Sequence, residues 1–374
     1  MTRSVVALLA CASALAAGGV EPAPAPAPAP PQAAEHRFCG WLYGWRDPEL
    51  LKQAYGTFAA HAAELDAVHP TWWHVASLTT IDARSVGFED PRVLSNTTRG
   101  GKRTKLIPTI QAEDEPDRSY AHAIINDPEL RRRHVAAVVA LVTKHRYDGV
   151  DLDYEHLSDT LGPGQTVDTE RQAFSTFVAE AAAALHAAGK TLSLAVPVAG
   201  SPRGIYDYEA LSASADHVHV MGYDYHYEQG PHGGPVAPLG WIRDVVSYVG
   251  SIDGGRRRER FILGLPNYGL VGTSLCNPSS RCLAMAGDKY RTTTGHMDHC
   301  AMGSGTEAGR APNQTLADGQ IMYFDDLASL EEKVEAAAQG GLGGVGYWSI
   351  GGEPDRPGPG TFFEMVRRHF SPCD

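Results

Sequence analysis

Residues 148–155 read DGVDLDYE, and this stretch decides how the rest of the chain is interpreted. Because successive side chains of a β-strand point to opposite faces, an extended backbone places Asp151, Asp153 and Glu155 on one face and the apolar residues on the other. Carboxylates spread over roughly 13 Å of strand repel one another, and burial removes the water that stabilises their charge. Both effects favour a proton on one of them, which is the state that a general acid needs.

Two alternatives for this acidic stretch are a solvated turn and a calcium site. An EF-hand loop needs a central glycine and a terminal glutamate at set offsets, and the stretch lacks that pattern. The apolar positions of residues 135–141 predict a helix shortly before it, which would not accompany an exposed edge strand. The pattern therefore favours a buried strand that carries an active site.

Strand-like and helix-like segments alternate along the chain on both sides of this stretch. The predicted strands are short, apolar and bounded by turn residues: Cys39–Tyr43, His74–Thr79, Lys105–Ile110, Gly149–Glu155, Leu192–Val198, His217–Tyr223, Phe261–Pro266 and Gly344–Ser349. Eight strands alternating with helices predict an α/β fold, a (β/α)8 TIM barrel, with an open doubly wound sheet as the alternative. Barrel enzymes carry their active sites at the carboxyl ends of the strands, where the acidic stretch ends.

Capping residues mark several predicted helix starts. Asp127 precedes Pro128, which suits the cap and the first position of a helix. Ser329 and Glu332 have the spacing of a capping box. Residues 270–320 show no clear periodicity and carry three cysteines, which predicts a cysteine-containing excursion after the seventh strand.

The composition excludes several classes of protein. The chain has 374 residues, with 32 Lys and Arg against 44 Asp and Glu, and a formal net charge of −12. Apolar residues make up 43% of the sequence, too many for a disordered chain. The acidic balance argues against nucleic acid as the main partner and against a polybasic contact with lipid, because both need clustered lysine and arginine. No apolar stretch reaches about 18 residues, so the sequence predicts no transmembrane span in the mature protein.

The first 35 residues are expected to precede the folded domain. Residues 1–17 combine a basic start, an apolar run and small residues that suit cleavage, which predicts a secretory signal peptide. Residues 18–35 contain the Pro/Ala-rich run EPAPAPAPAPP, which predicts an extended, solvated linker. The folded domain is predicted over residues 36–374, in a protein that is secreted or held at the cell envelope. Lipid attachment at Cys11 is a minority alternative.

Export would permit disulfides among the five cysteines that remain after the signal peptide. Cys39 and Cys373 lie at opposite ends of the domain, and a closed barrel makes those ends neighbours, so a bridge between them is one expectation. Two of Cys276, Cys282 and Cys300 are expected to pair, and the sequence does not say which thiol is left over. A zinc site is the rival interpretation, although no C-x-x-C pair occurs.

The acidic stretch resembles the signature D-x-x-D-x-D-x-E of the family-18 glycoside hydrolases, which contain chitinases and endo-β-N-acetylglucosaminidases. Residues 221–224, MGYD, resemble the family's M-x-Y-D on strand six, and residues 265–269, LPNYG, resemble its strand-seven turn. Trp348 falls where the family has its strand-eight tryptophan. The resemblance covers most of residues 36–374, and residues 223–241 look closer to the bacterial branch associated with spore and cell-wall glycans.

The resemblance implies a retaining hydrolase of β-linked N-acetylglucosamine polymers or oligosaccharides, of the chitin or peptidoglycan type. In this family the substrate's own 2-acetamido group replaces a carboxylate nucleophile, and no cofactor or metal is implied. By resemblance, Glu155 is the general acid, Asp153 accepts the acetamido N–H and Asp151 shares its proton. Tyr223 would donate a hydrogen bond to the acetamido carbonyl.

Further residues are expected to bind the sugar. Tyr43 and Trp348 lie at the ends of predicted strands one and eight, where aromatic rings can stack on sugar faces. Met221 and Asp224 belong to the strand-six motif and are expected to line the same site. Gln111 directly follows the predicted third strand, in the segment where many members of the family carry S-x-G-G, and it is expected to line the cleft.

Two further pairs of residues are not expected to take part in the chemistry. Trp72 and Trp73 precede the predicted second strand, which places them at the bottom of the barrel. His217 and His219 form an H-x-H pair with no evident partner ligand, so the sequence predicts no metal site there.

Two rival functions stay open at this stage. A non-catalytic lectin could use the same barrel, although such proteins typically lose the acid that Glu155 supplies here. An ordinary two-carboxylate glycosidase would cleave sugars without a 2-acetamido group. The sequence leaves open whether the substrate is chitin, peptidoglycan or an N-linked glycan and whether cleavage is endo or exo; a monomer is expected.

Overall fold

A computed structural model of the protein shows a closed barrel with eight parallel staves. Each stave, called a wall below, is one strand or two successive strand segments. All described residues belong to one unit, Pro31–Asp374. The structure describes residues 38–43, 47–84, 87–157, 161, 164–198, 204–276, 291–294, 310–351, 353 and 361–371. The predicted signal peptide, the linker and Cys11 lie outside the described residues, as do Cys282, Cys300 and Cys373.

The described part of the chain forms sixteen strands and nine α-helices. The strands are β1 Phe38–Leu42, β2 Ala67–Pro70, β3 Trp73–Val75, β4 Ile81–Ala83, β5 Lys105–Leu106, β6 Thr109–Ala112, β7 Gly149–Tyr154, β8 Thr191–Pro197, β9 His217–Met221, β10 Phe261–Pro266, β11 Gly269–Val271, β12 Ser274–Cys276, β13 Arg291–Thr294, β14 Arg310–Thr315, β15 Ile321–Tyr323 and β16 Gly344–Trp348. The helices are α1 Pro48–His61, α2 Pro91–Ser95, α3 Asp117–Asn126, α4 Pro128–His145, α5 Val167–Ala187, α6 Tyr208–Ser214, α7 Leu239–Ser251, α8 Leu327–Gln339 and α9 Phe362–His369.

The sheet has eleven strands. Ten of them form the eight walls, which are numbered along the chain as β1, β2 with β3, β5 with β6, β7, β8, β9, β10 and β16, because two walls are interrupted at proline; the eleventh strand, β4, pairs antiparallel with β3. β2 and β3 form the second wall, which breaks after Pro70, and β5 and β6 form the third, which breaks at Pro108. Proline has no N–H to give to a ladder, so each interruption has a local cause. β2 pairs with β1 and β5, β3 pairs with β6, and β16 pairs with β1, so the ring closes. The predicted TIM barrel is confirmed.

The acidic stretch is extended and alternates as predicted. β7 lies between β6 and β8, with Asp151 level with Thr109 and Ser193. Its outward side packs under helices: the Tyr154 ring stacks on Phe177 at 5.7 Å between centroids. All six residues of β7 are buried. The apolar side of the strand therefore anchors it against the helices and leaves the carboxylates to face the barrel interior.

The second wall lies earlier in the chain than predicted. The predicted strand His74–Thr79 is wrong beyond Val75, because residues 76–80 form a turn in which the hydroxyl of Ser77 accepts from the backbone N–H of Thr80 at 3.1 Å. Trp73 lies in β3, level with Ile110, so the expectation that it sits at the bottom of the barrel is wrong. Trp72 and Trp73 are nevertheless buried at 1% and 7% exposure, as packing residues should be.

The helix starts follow the capping pattern with one shift. Asp127 accepts hydrogen bonds from the N–H groups of Glu129 and Leu130, which confirms it as the cap of α4. Ser329 is not a cap: Asp326 caps α8 and exchanges hydrogen bonds with Ser329. Among the described helices, none combines the length and the apolar character that crossing a membrane would require.

The excursion after the seventh wall contains a second sheet. Strands β11 to β15 form five antiparallel strands in the order β12-β11-β15-β14-β13. Cys276 ends β12, while the other two cysteines of this segment lie outside the described residues. Their predicted pairing stays a prediction.

The predicted bridge from Cys39 to Cys373 is not formed. Cys39 is a free thiol, fully buried in β1. Its Sγ lies 3.6 Å from Nδ1 of His219, a residue of β9. The alternation of β1 turns Cys39 into the barrel, as it does Trp41, and this direction takes the thiol away from a surface bridge.

Candidate active site

Asp151 lies in the barrel interior with hydrogen bonds on both carboxylate oxygens. Trp41 and Thr109 donate to Oδ2, each at 3.0 Å, and Ser193 donates to Oδ1 at 2.6 Å. The residue is 0% exposed. Three donors from three different walls stabilise a negative charge that no water reaches.

Asp153, two residues further along β7, is buried at 3% exposure. Only one of its two carboxylate oxygens accepts a hydrogen bond from a donor group in the described part of the chain. Gln111 donates to Oδ2 at 3.1 Å. The other oxygen, Oδ1, is buried and receives no hydrogen bond from any residue that the structure describes. The carboxyl group of Glu155 lies in hydrogen-bonding contact with Asp153. Two ionised carboxylates have no hydrogen to share, so this contact requires a proton on one of them.

The pKa shifts of Asp153 and Glu155 also favour a proton held by this pair. Burial raises the pKa of Asp153, and the negative charges of Glu113 and Asp151 raise it further. Burial also raises the pKa of Glu155 well above its usual range, followed by the charge of Asp153. Since Glu155 is partly exposed at the end of the strand, it is the member that an incoming group can reach. A proton held by the pair is therefore available at the carboxyl end of the barrel.

The contacts favour a proton shared by Asp153 and Glu155. The family resemblance implies sharing between Asp151 and Asp153, but the oxygens of Asp151 already accept three hydrogen bonds. The unsupplied Oδ1 of Asp153 is the atom that a proton would satisfy.

Tyr223 follows β9 and faces the same acids. Burial raises the pKa of its phenol well above the usual range, and the charge of Glu155 is the next cause. The hydroxyl therefore stays protonated and can donate a hydrogen bond. Met221, at 8% exposure, packs with Tyr223 on one side of this site.

Asp224 lies on the exposed rim beside the acids. Its backbone has φ of 59°, a left-handed conformation that aspartate tolerates better than most residues. Its carboxylate accepts a hydrogen bond from the hydroxyl of Tyr268 at 2.6 Å. The structure thus brings Asp224 to the edge of the site through its contact with Tyr268.

Aromatic rings form the floor of the site. Trp348, the last residue of β16, stacks with Tyr43 at 5.1 Å between centroids and meets Trp41 edge to face at 6.0 Å. Trp348 and Tyr43 are both half-buried, so parts of their rings remain open to a ligand. Sugar rings carry C–H faces that suit such surfaces.

A groove lies along the first three walls, next to the acids. It has a volume of about 550 Å³, and its lining includes Tyr43, Trp72, Gln111 and Glu113. Gln111 joins the groove to the acids through its hydrogen bond to Asp153. The predicted cleft residues Tyr43 and Gln111 are thus brought together on this side.

Trp41 and Glu113 belong to the site but were not predicted from the sequence. Trp41 contacts Asp151 across the barrel, and a local sequence pattern carries no signal for such a contact. Glu113 follows Thr109 and Gln111 at alternate positions, so the same strand alternation that identified Asp153 could have identified it. It is exposed, yet its charge acts on both Asp153 and Glu155.

Comparison with known proteins agrees with this geometry. A family model described as Glycosyl hydrolases family 18 matches residues 76–353, more than half of the chain. A Bacillus subtilis protein named as a sporulation-specific glycosylase, YdhD, is 24% identical over 329 residues, which cover 83% of this chain and 70% of that protein. A cortical fragment-lytic enzyme of Bacillus subtilis is 24% identical over 244 residues, which cover 61% of this chain and 52% of that enzyme.

The fold has close counterparts among solved structures. The crystal structure of a chitinase from Chromobacterium violaceum ATCC 12472 aligns with a TM-score of 0.70 at 20% identity. The alignment covers 89% of this chain and 98% of that one. This likeness concerns the fold, whereas the acids and their contacts are properties of the present chain.

Proposed function

The chain belongs to glycosyl hydrolases family 18, and on that premise we propose that it hydrolyses β-linked N-acetylglucosamine glycans with retention of configuration, assisted by the substrate's acetamido group. As a family member it is a glycoside hydrolase acting on N-acetylglucosamine-type glycans. The finer proposal adds the mechanism and the polymer, which is of the chitin or peptidoglycan type.

The contact between Asp153 and Glu155 carries the proposal. The buried Oδ1 of Asp153 has no donor among the described residues, and the carboxyl of Glu155 lies against this side chain. A proton on Glu155 satisfies both groups at rest. Since burial and neighbouring charge raise the pKa of Glu155, this proton persists at a pH where an ordinary glutamate is ionised.

In the first step, Glu155 gives its proton to the glycosidic oxygen. The bond between that oxygen and the anomeric carbon breaks, and the carbonyl oxygen of the 2-acetamido group bonds to the anomeric carbon. A cyclic, positively charged intermediate results, and its N–H is stabilised by Asp153, which is freed from Glu155 once the proton has left. Tyr223 donates a hydrogen bond to the acetamido oxygen and orients it.

In the second step, the Glu155 carboxylate accepts a proton from water. The water oxygen bonds to the anomeric carbon from the face that the leaving group occupied, and the ring bond to the acetamido oxygen breaks. Two inversions at one carbon give net retention. Asp151 is held in place by its three hydrogen bonds, and its negative charge lies near the developing cation.

The aromatic floor and the groove supply the sugar sites. Trp348 and Tyr43 offer stacked, half-buried rings beside the acids. The groove of about 550 Å³ adds polar groups along walls one to three. Further units of a glycan chain would bind there, which favours an oligosaccharide or polymer over a monosaccharide glycoside.

Substitution of the acid tests the proposal. The Glu155→Gln variant should lose hydrolysis of a chromogenic chitobioside by more than about 100-fold, because amide nitrogen cannot supply the proton. It should still bind chitin oligosaccharides, as measured by titration calorimetry. Glu335→Gln, an exposed substitution on α8, is the matched control and should retain full activity. Full activity in Glu155→Gln would overturn the assignment.

The substrate tests the assisted mechanism separately. The wild-type protein should cleave the chitobioside and leave the corresponding glucoside, which lacks the acetamido group, uncleaved. Proton NMR during the first turnovers should show the β-anomer as the initial product. Equal cleavage of both substrates would favour a two-carboxylate glycosidase, and binding without turnover would favour a lectin. Products from chitin oligomers and from purified peptidoglycan, analysed by mass spectrometry, decide between the two polymers.

A further inference from the structure

Below the catalytic acids, three potential metal ligands meet inside the barrel. Cys39 on β1, His69 on β2 and His219 on β9 each offer one ligand atom, and these atoms all lie within 4.8 Å of one another. The three residues are buried at 0%, 0% and 1% exposure. The hydrolase mechanism uses none of them, so they need a separate explanation.

The tautomer of His69 is fixed by its surroundings. Its Nδ1 lies 3.0 Å from the carbonyl oxygen of Ile107, and a carbonyl can only accept, so Nδ1 carries the hydrogen. A neutral imidazole carries hydrogen on only one of its two nitrogens. The remaining nitrogen, Nε2, therefore has a lone pair, and it is buried without a hydrogen-bond partner among the described residues. A histidine whose one nitrogen donates to a carbonyl while the other is a buried, unused acceptor has the arrangement of a metal ligand.

The thiol stands at a suitable distance from the second histidine. Sγ of Cys39 is 3.6 Å from Nδ1 of His219. Two ligands of one tetrahedral zinc ion, at about 2.3 Å for sulfur and 2.0–2.1 Å for nitrogen, are separated by roughly 3.5 Å. The same distance also suits a weak hydrogen bond from the thiol, so the unused lone pair of His69 is the observation that favours a metal.

The charges of the surroundings suit a cation. Asp151 lies close enough for its charge to act on both Cys39 and His69. A divalent ion would bind the thiolate form of Cys39 with release of the thiol proton, and its two charges would be balanced by the thiolate and by the nearby Asp151.

We propose that Cys39, His69 and His219 bind one divalent transition-metal ion of the zinc type inside the barrel. One sulfur and two imidazole nitrogens are donors that zinc accepts readily. The ion links the adjacent first and second walls to the sixth wall across the barrel, so its role is structural. Because all three ligands are buried, the ion enters while the chain folds. This proposal is independent of the proposed function, and its failure would leave the hydrolase mechanism unchanged.

Metal content tests the site first. Protein produced with zinc in the medium should retain about one zinc ion per chain after dialysis against a weak chelator, as measured by mass spectrometry. Cys39→Ser and His69→Gln should each retain less than a tenth of that amount. His134→Gln is the matched control, because His134 is also buried but contacts Tyr154 outside the barrel interior. A wild-type protein without zinc, or equal zinc in Cys39→Ser, would overturn the proposal.

Cobalt supplies a readout that does not depend on the stability of the cluster variants. Wild-type protein refolded with Co²⁺ as the only metal should show the near-ultraviolet absorption of a cobalt–thiolate bond. A variant in which serine replaces all the other cysteines (Cys11, Cys276, Cys282, Cys300 and Cys373) should keep this band, since Cys39 is then the only thiol. Loss of the band in that refolded variant would assign the thiolate elsewhere and contradict the site.

Discussion

At the scale of single residues, the chemistry depends on which oxygen atoms already have donors. Asp151 accepts three hydrogen bonds, whereas Asp153 has one buried oxygen without a donor among the described residues and shares a side-chain contact with Glu155. Two aspartates of the same strand, two positions apart, thus have different roles because their neighbours differ. This is the pattern in which environments divide acid and base work between like side chains.

Glu113 gives the first prediction at this scale. Its negative charge helps to raise the pKa of Asp153 and of Glu155, so Glu113→Gln should lower the pKa of the acid. The acid must be protonated to act, and the alkaline limb of kcat/KM should therefore move to lower pH. Because Glu113 is exposed, we expect a shift of at most about one pH unit at low salt and less at high salt.

The pH profile with the chitobioside measures this shift. Glu335→Gln removes the same charge from an exposed position on α8 and should leave the alkaline limb in place. An alkaline limb that stays in place, or moves upward, in Glu113→Gln would show that Glu113 does not act on the acid.

The sequence predicted the acids of β7 because strand alternation is a local rule. It could not predict the partner of Asp151 on β1, because Trp41 reaches it across the closed barrel. Cys39 was misassigned for the same reason: chain ends that become neighbours suggested a bridge, whereas the alternation of β1 directs the thiol inward. Contacts inside a barrel depend on closure and register, which no single segment specifies.

At the scale of elements, the barrel walls and helices follow their local signals except where proline or a competing cap intervenes. The second wall was predicted only in part, because Pro70 divides it and residues 76–80 form a turn. At α8, Asp326 precedes Ser329 by three residues and takes the capping position, so the capping box and the helix start lie about one turn earlier than predicted. Both errors come from choosing between neighbouring signals of similar strength.

The cap of α4 gives a prediction at this scale. Asp127 accepts from the N–H groups of Glu129 and Leu130, both at 2.9 Å. Asp127→Ala leaves these donors to water and should lower the free energy of unfolding by about 1 kcal/mol. Urea unfolding followed by circular dichroism measures the change. Asp82→Ala, an exposed aspartate of β4, should change it by less than about 0.5 kcal/mol, and an equal loss in the two variants would contradict the capping role.

At the scale of the whole molecule, the site reduces the stability of the fold that carries it. A carboxyl group whose pKa is higher in the folded than in the unfolded chain binds more protons when folded, between those two pKa values. The free energy of unfolding therefore falls as the pH rises through that window. Asp153 and Glu155 both belong to this class. The free energy of unfolding near neutral pH is therefore lower than the packing of the barrel alone would give.

Glu155→Gln should consequently stabilise the protein. The amide keeps a donor for the unsupplied oxygen of Asp153 and never ionises, so the free energy of unfolding should increase by on the order of 1 to 2 kcal/mol near pH 7. The increase should vanish below about pH 4, where an unfolded glutamate is itself protonated. Chemical unfolding at several pH values measures it, with Glu335→Gln as the control. A variant less stable than wild type at pH 7 would mean that ionisation of the Asp153–Glu155 pair does not destabilise the fold.

The most direct test of the account is a titration of the carboxyl carbons by ¹³C NMR in the wild-type protein. We predict that the Glu155 carboxyl remains protonated well above its usual pKa of about 4.3. In Glu155→Gln, where this resonance is absent, the titration of the coupled Asp153 carboxyl should change. If the Glu155 and Asp153 carboxyls both titrate near pH 4 as independent groups, no proton is held at the end of β7 and the central claim is contradicted.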